Sequence, residues 1–212
     1  LVWVVVAVAG GWRAPAPPTL DPTYGVCPER PAQAQVPEPV PQWLWAGTPQ
    51  EGQVVAFRRV FGCTSGLAEA VLWITCDNYF RVWINGAFVG ETERREGGLE
   101  WDTAQRYDVL PLLRPGDNLV LVEGRNEGGP AGLVALLQLT RKDGGTERIV
   151  TDDKWQVAAG PAGGWEAEGG EGLAWSQGSS AGHIGSRTWG YIRGWPEPVR
   201  LPIAEYLRTM LV

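Results

Sequence analysis

Histidine is almost missing from this 212-residue chain: His183 stands alone, and cysteine is limited to Cys27, Cys63 and Cys76. One imidazole and three thiols without CxxC spacing make no zinc ligand set, so no metal ligand is assigned. The odd cysteine count gives no complete disulfide framework. If residues 54–63 and 68–76 pair as a hairpin, Cys63 lies near its turn and Cys76 at its far end, which separates the sulfurs too widely for a bridge. Small buried hydrophobes are then the reading of these cysteines. Positive charge is also short, with 18 Lys and Arg against 24 Asp and Glu, a net charge of −6. Basic runs such as Arg58-Arg59 and Arg94-Arg95 are no longer than two residues, far less than the basic face that displaces counterions from a nucleic acid. Nucleic acid is therefore not an expected partner. No stretch carries a long 3.6-residue apolar period, which argues against a helical domain.

What the chain has instead is 29 Gly, 17 Pro and 12 Trp. Glycine and proline punctuate strands and disfavour helix interiors, and tryptophan supplies large buried area per residue. The apolar run of residues 1–10, LVWVVVAVAG, is too short to span a bilayer comfortably. It reads as a signal-peptide remnant or anchor over residues 1–12, with a buried first strand as the alternative. Export to the periplasm, cell surface or medium is the expectation. Prolines crowd residues 13–41, a solvated, extended linker. The folded domain is expected over residues 42–212.

From Gln42-Trp43 onward the apolar period is two. Val55, Phe57, Arg59 and Phe61 alternate with Ala56, Arg58 and Val60, and Ala68, Ala70, Leu72 and Ile74 alternate with Glu69, Val71, Trp73 and Thr75. A strand over Tyr79–Ile84 ends in Asn85-Gly86, a strong short hairpin signal because both residues tolerate positive φ. Tyr107-Asp108-Val109-Leu110 follows, with Asp108 placed to cap a local turn; Arg58 or Arg59 is expected to cross the sheet and pair with such a carboxylate. The turn Arg114-Pro115-Gly116-Asp117, a strand from Asn118 to Glu123, a strand from Leu133 to Leu139, the turn Asp143-Gly144-Gly145 and a strand near Ile149-Val150 complete the pattern. Many short strands with turn chemistry between them predict an all-β sandwich or jelly roll. Residues 160–195 read as long loops pinned by Trp165, Trp175, Trp189 and Trp195, and Ile203 to Leu211 as a short helix or strand.

Several motifs, taken in order, carry a resemblance. They are Trp43-Leu44-Trp45, Phe57-Arg58-Arg59-Val60-Phe61, the run from Ala70 to Tyr79, Val82-Trp83-Ile84-Asn85-Gly86, Tyr107-Asp108-Val109 and Leu113-Arg114-Pro115-Gly116-Asp117-Asn118. Together they resemble the N-terminal, sugar-binding-type jelly rolls of α-L-rhamnosidases and, more loosely, of the β-galactosidase family. Ala131-Gly132-Leu133, Thr151-Asp152-Asp153-Lys154-Trp155 and Trp189-Gly190 favour the rhamnosidase-like version. The resemblance covers residues 43–190. It implies a galactose-binding-like β-sandwich with an N-terminal Pro-rich extension, acting as a non-catalytic carbohydrate-binding or accessory domain of an exported protein. It also implies a covalent neighbour domain that holds the catalytic machinery, and it raises a structural Ca²⁺ whose ligands are not named. A structural jelly roll without a sugar site is the alternative.

The residues themselves give no catalytic motif. Glycoside hydrolysis needs two carboxylates facing each other across a sugar, and Glu123, Glu127 and Asp102 sit in no recognisable acid pair. Ser179, Ser180 and Ser186 lie near His183 without a GxSxG elbow, so a triad is not expected. The strongest ligand-binding candidate is Asp77-Asn78-Tyr79, where carboxylate, amide and aromatic ring adjoin between two apolar strands, at one end of the sandwich. Such groups bond hydroxyls and cover a sugar's apolar face; a turn stabilised by Asp and Asn is the competing reading. Trp101, Asp102, Arg125 and Asn126 are further candidates at strand ends. A plant or microbial glycan is the expected partner.

Overall fold

A computed structural model describes residues 39–93, 100–161, 163–167 and 169–196. The readings for residues 1–12, most of the linker at 13–41, and the segment Ile203 to Leu211 lie outside the described residues, as does Cys27. Among the described residues the structure is strands, turns and two short 3₁₀ turns, with no α-helix. Two six-stranded sheets face each other. The first runs β12 (Ser179–His183), β1 (Gln42–Trp45), β8 (Gly132–Arg141), β3 (Leu67–Asp77), β6 (Gln105–Asp108), with β9 (Thr146–Val150) also paired to β8. The second runs β11 (Ser176–Gln177), β10 (Gln156–Ala159), β2 (Val54–Cys63), β7 (Gly116–Arg125), β4 (Tyr79–Ile84), β5 (Ala87–Glu91). All pairings within the sheets are antiparallel. The all-β jelly-roll expectation holds.

Period-two patterning explains the layers. Val55, Phe57 and Phe61 of β2, Ala70, Leu72 and Ile74 of β3, Phe80, Val82 and Ile84 of β4, and Val120 and Val122 of β7 all point inward into one core. Trp45 and Trp155 fill it, each satisfying its indole N–H, to Gln53 Oε1 at 2.8 Å and to the Val150 carbonyl at 2.8 Å. The outward positions are not simply solvated. Trp43, Val134, Leu136, Ile184, Trp189, Ile192 and Trp195 build a second apolar layer outside the first sheet. Ala56, Trp83, Leu121, Ala158 and Trp165 build a third outside the second sheet. The tryptophans of residues 160–195 thus lay the late loops against both outer faces.

Two expectations are corrected. Strands β2 and β3 are not a hairpin: residues 64–66 arch between the sheets, and β2 pairs with β7 and β10 while β3 pairs with β6 and β8. Both strands bury one apolar face toward the other, so they stack instead of sharing an edge. Cys63 and Cys76 are free and buried, and burial raises both thiol pKa values. Nor do Arg58 and Arg59 reach Asp108, which belongs to the opposite sheet. Arg58 donates to Gln156 Oε1 at 2.7 Å and lies over the Trp175 ring, and Arg59 donates to the Lys154 carbonyl. Asp108 does cap its turn, accepting the Leu110 N–H at 3.1 Å.

The turn Asn85-Gly86 has φ of 52° and 82°, as a two-residue hairpin of positive-φ residues requires. Asn85 also staples a second turn: its amide donates to Asn118 Oδ1 and to the Leu112 carbonyl, each at 2.8 Å. Buried Asn118 in turn donates to the Arg114 and Gly116 carbonyls.

Candidate functional site

Three crossings between the sheets meet at one end of the sandwich: residues 46–53 from β1 to β2, Asn78 from β3 to β4, and residues 126–131 from β7 to β8. A crossing leaves ladder groups without strand partners, and buried polar backbone must be satisfied locally. Asn126, wholly buried, does most of this. Its N–H donates to the Gln53 carbonyl at 2.9 Å and its amide to the Gln50 carbonyl at 3.0 Å. Its own carbonyl accepts Gly52 N–H at 2.8 Å, and its Oδ1 accepts Gly128 N–H at 3.0 Å. Asn78 donates its N–H to the Arg125 carbonyl at 2.9 Å, and its Oδ1 accepts Glu127 N–H at 2.6 Å.

Asp77 ends β3 with only 6% of its surface exposed. Its Oδ2 accepts the indole N–H of Trp189 at 3.0 Å, a contact that spans 112 residues of chain. Trp189 is stacked on Trp43 with ring centroids 4.4 Å apart. Burial pushes the Asp77 carboxyl pKa up to about 6, against the opposing pull of the indole bond.

Beyond Asn78 the character changes. Tyr79 and Arg125 face each other in register on β4 and β7, Tyr79 half-buried and Arg125 exposed. The Arg125 guanidinium makes no hydrogen bond or ion pair among the described residues. Both open onto a concavity of about 570 Å³ on the outer face of the second sheet, which Arg81, Glu91, Glu93 and Glu123 also line. Its formation follows from where the late loop stops. Trp165 covers Leu121 and Trp83 and reaches Glu123 Oε2 with its indole N–H at 3.5 Å, and the concavity lies beyond it along β7 and β4.

Of the expected site residues, Asp77, Asn78, Tyr79, Arg125 and Asn126 are brought together at this end. Trp101 and Asp102 are not. They lie in a 3₁₀ turn (Glu100–Asp102), where Trp101 packs on the outer layer of the first sheet. The Asp102 carboxylate receives both bonds of an Arg193 pair at 2.7 Å, with Thr103 Oγ1 donating to it as well. His183 lies on β12 opposite Gln42. The sequence reading missed Arg81, Glu91, Thr92 and Glu93, and considered Glu123 only as a catalytic acid. The signal was present: Tyr79, Arg81 and Trp83 alternate along β4, so they share the face that Tyr79 presents.

A family model described as the alpha-L-rhamnosidase N-terminal domain matches residues 65–173. The alpha-L-rhamnosidase of Streptomyces avermitilis is 29% identical over 157 residues, 71% of this chain and 15% of that protein. The alpha-L-rhamnosidase of Formosa agariphila is 27% identical over 144 residues, 55% of this chain and 16% of the relative. The chain therefore spans about a sixth of the length of these relatives. Among solved structures, the S. avermitilis enzyme complexed with L-rhamnose superposes with a TM-score of 0.65 at 27% identity, over 72% of this chain and 16% of that one. A lectin from Pleurotus ostreatus, in its apo form, gives 0.61 at 27% identity, over 74% of this chain and 46% of that one.

Proposed function

The chain belongs to the family of α-L-rhamnosidase N-terminal domains, and from that premise we propose that it is a non-catalytic glycan-binding accessory domain, with catalysis carried by a neighbouring domain of a longer, exported protein. The observation that carries the reading is the division of labour at the crossing end. Asp77, Asn78 and Asn126 hold three chain crossings together, while Tyr79 and Arg125, side by side, line the adjoining concavity. An aromatic face and a guanidinium are the groups that cover a sugar ring and bond its hydroxyls. Similarity to a rhamnosidase seen with L-rhamnose and to a fungal lectin supports a sugar as the ligand.

Calcium fits this end on chemical grounds. Asp77 is a buried carboxylate that accepts from an uncharged indole, and an adjacent cation would relieve the cost of its charge. Among the described residues no three His, Cys, Asp or Glu side chains gather. The ion would thus rest on Asp77 with neighbouring amide and carbonyl oxygens. When bound it would supply a fixed positive charge beside the sugar hydroxyls; the chain's own Tyr79 and Arg125 still orient the ring.

A second reading, a jelly roll retained for architecture alone, draws on the fact that Asp77, Asn78 and Asn126 are already hydrogen-bonded. A titration panel separates the two: L-rhamnose, galactose, N-acetylgalactosamine and pectic or arabinogalactan fragments, each with and without Ca²⁺. Saturable binding of at least one sugar at millimolar concentration is expected, with no turnover of aryl-glycosides. No binding across the panel establishes the architectural reading instead.

A further inference from the structure

We infer that the outer face of the second sheet is a groove for a neutral oligosaccharide, extending the single-sugar position at Tyr79 and Arg125 along β4 toward Phe88. The inference rests on the glycan-binding reading above and adds the length and charge of the ligand.

Three observations carry it. The first is size. The concavity of about 570 Å³ lies within the range of clefts that enclose whole small-molecule ligands and is larger than one pyranose ring needs. Tyr79 to Trp83 is four residue steps along the strand, about 13 Å, so the face is longer than one sugar as well.

The second is charge order. Along the floor Arg81 stands in register between Glu123 on β7 and Glu91 on β5, with its Nε 3.6 Å from Glu91 Oε2. Arg125 and Glu93 line the same concavity, so two cations and three carboxylates share it. A polyanionic chain would meet these carboxylates directly, and like-charge contact is costly. Hydroxyls, which donate and accept, suit such a mixed surface.

The third is the far end. Phe88 is 53% exposed, its ring 5.8 Å from the Trp83 ring, with the Arg81 guanidinium 5.9 Å from its centroid. An exposed ring braced from beneath by Trp83 and from the side by Arg81 is a fixed platform. It provides for a distal sugar what Tyr79 provides for the first. Glycan chains present alternating hydroxyl edges and apolar ring faces, which a line of aromatic, charged and aromatic side chains can follow.

The test compares chain lengths. L-rhamnose, a linear rhamnose trisaccharide and its sulfated form are titrated into the full chain and into Arg81→Ala, Phe88→Ala and Glu123→Gln, each checked for an unchanged thermal midpoint. The trisaccharide should bind about tenfold tighter than the monosaccharide, or better. The sulfated form should bind more weakly than the neutral one. Each variant should lose most of the length-dependent gain, and Phe88→Ala should do so while leaving monosaccharide affinity within about twofold. Trisaccharide binding no tighter than the monosaccharide overturns the groove and leaves the single-sugar position intact. A tighter sulfated chain overturns its neutral character. Absence of binding by both lengths overturns the glycan reading and the groove with it.

Discussion

Asp77 carries a charge in a place that disfavours charge. Its carboxyl pKa is raised to about 6 from an ordinary value near 3.8, so the native state holds its proton more tightly than the unfolded chain does. The stability this protonation contributes is complete below the unfolded value and is lost as pH rises through 6. At neutral pH the ionised group therefore costs on the order of 2–3 kcal/mol. Asp77→Asn should remove that cost while its carbonyl still accepts from Trp189. Urea unfolding in EDTA should show wild type losing stability between pH 4 and 6 and the variant showing a flatter profile over that window. Added Ca²⁺ should raise the wild-type midpoint at pH 7 and do little for the variant. Gly132 makes a different demand. A Cβ there would stand 2.9 Å from the Trp43 ring and 3.2 Å from the Trp189 ring. Gly132→Ala should cost about 1–3 kcal/mol and shift tryptophan emission, because the stack that holds Trp189 on Asp77 must move.

Residues of this kind were unevenly legible in the sequence. Asn78 and Tyr79 stood out because a polar tripeptide between two apolar strands must mark a crossing. The burial of Asp77 did not, since its partner lies 112 residues away and no local pattern links them. Asp102 looked like an open strand-end carboxylate for the same reason, until Arg193 is seen paired with it.

Elements were legible where turn chemistry is local. Asn85-Gly86 and Pro115-Gly116-Asp117-Asn118 bound strands as expected, and the fold shows why they occur together: Asn85 and Asn118 bond each other and close both turns. Asn118→Ala should remove the side-chain donor to the Arg114 and Gly116 carbonyls and cost about 0.5–1.5 kcal/mol. Hydrogen exchange at the Leu119 amide, which donates to Asn85 Oδ1 at 3.0 Å, should accelerate along with it. Unchanged exchange there would mean the two turns are independent. Pairing between elements was less legible. Period two assigns a strand's faces but not its neighbours, so β2 and β3 read equally well as an edge-sharing pair or as two stacked strands. Apolar residues on both faces of β3, with Val71 and Trp73 outward of Ala70 and Leu72, were the hint that this strand lies in a sandwich with an added outer layer.

At the scale of the whole molecule, three apolar layers arrange function by coverage. Late loops pinned by tryptophans lie against the outer faces of both sheets. Beyond Trp165 the outer face of the second sheet presents Tyr79, Arg81, Glu123 and Arg125 to the concavity. The order of motifs pointed to the rhamnosidase-type jelly roll, and the family match bears that out. The groove was not foreseen, because it is defined by where Trp165 ends its contacts, a tertiary fact. The central claim is that a sugar binds at the crossing end through Tyr79 and Arg125. Isothermal titration of L-rhamnose into wild type, Tyr79→Ala, Arg125→Ala and the remote Asp102→Ala, all in Ca²⁺, tests it most directly. Saturable binding that weakens at least about tenfold in the first two variants and is unchanged in Asp102→Ala is predicted; equal affinity across all four proteins, or no saturable heat in wild type, would contradict it.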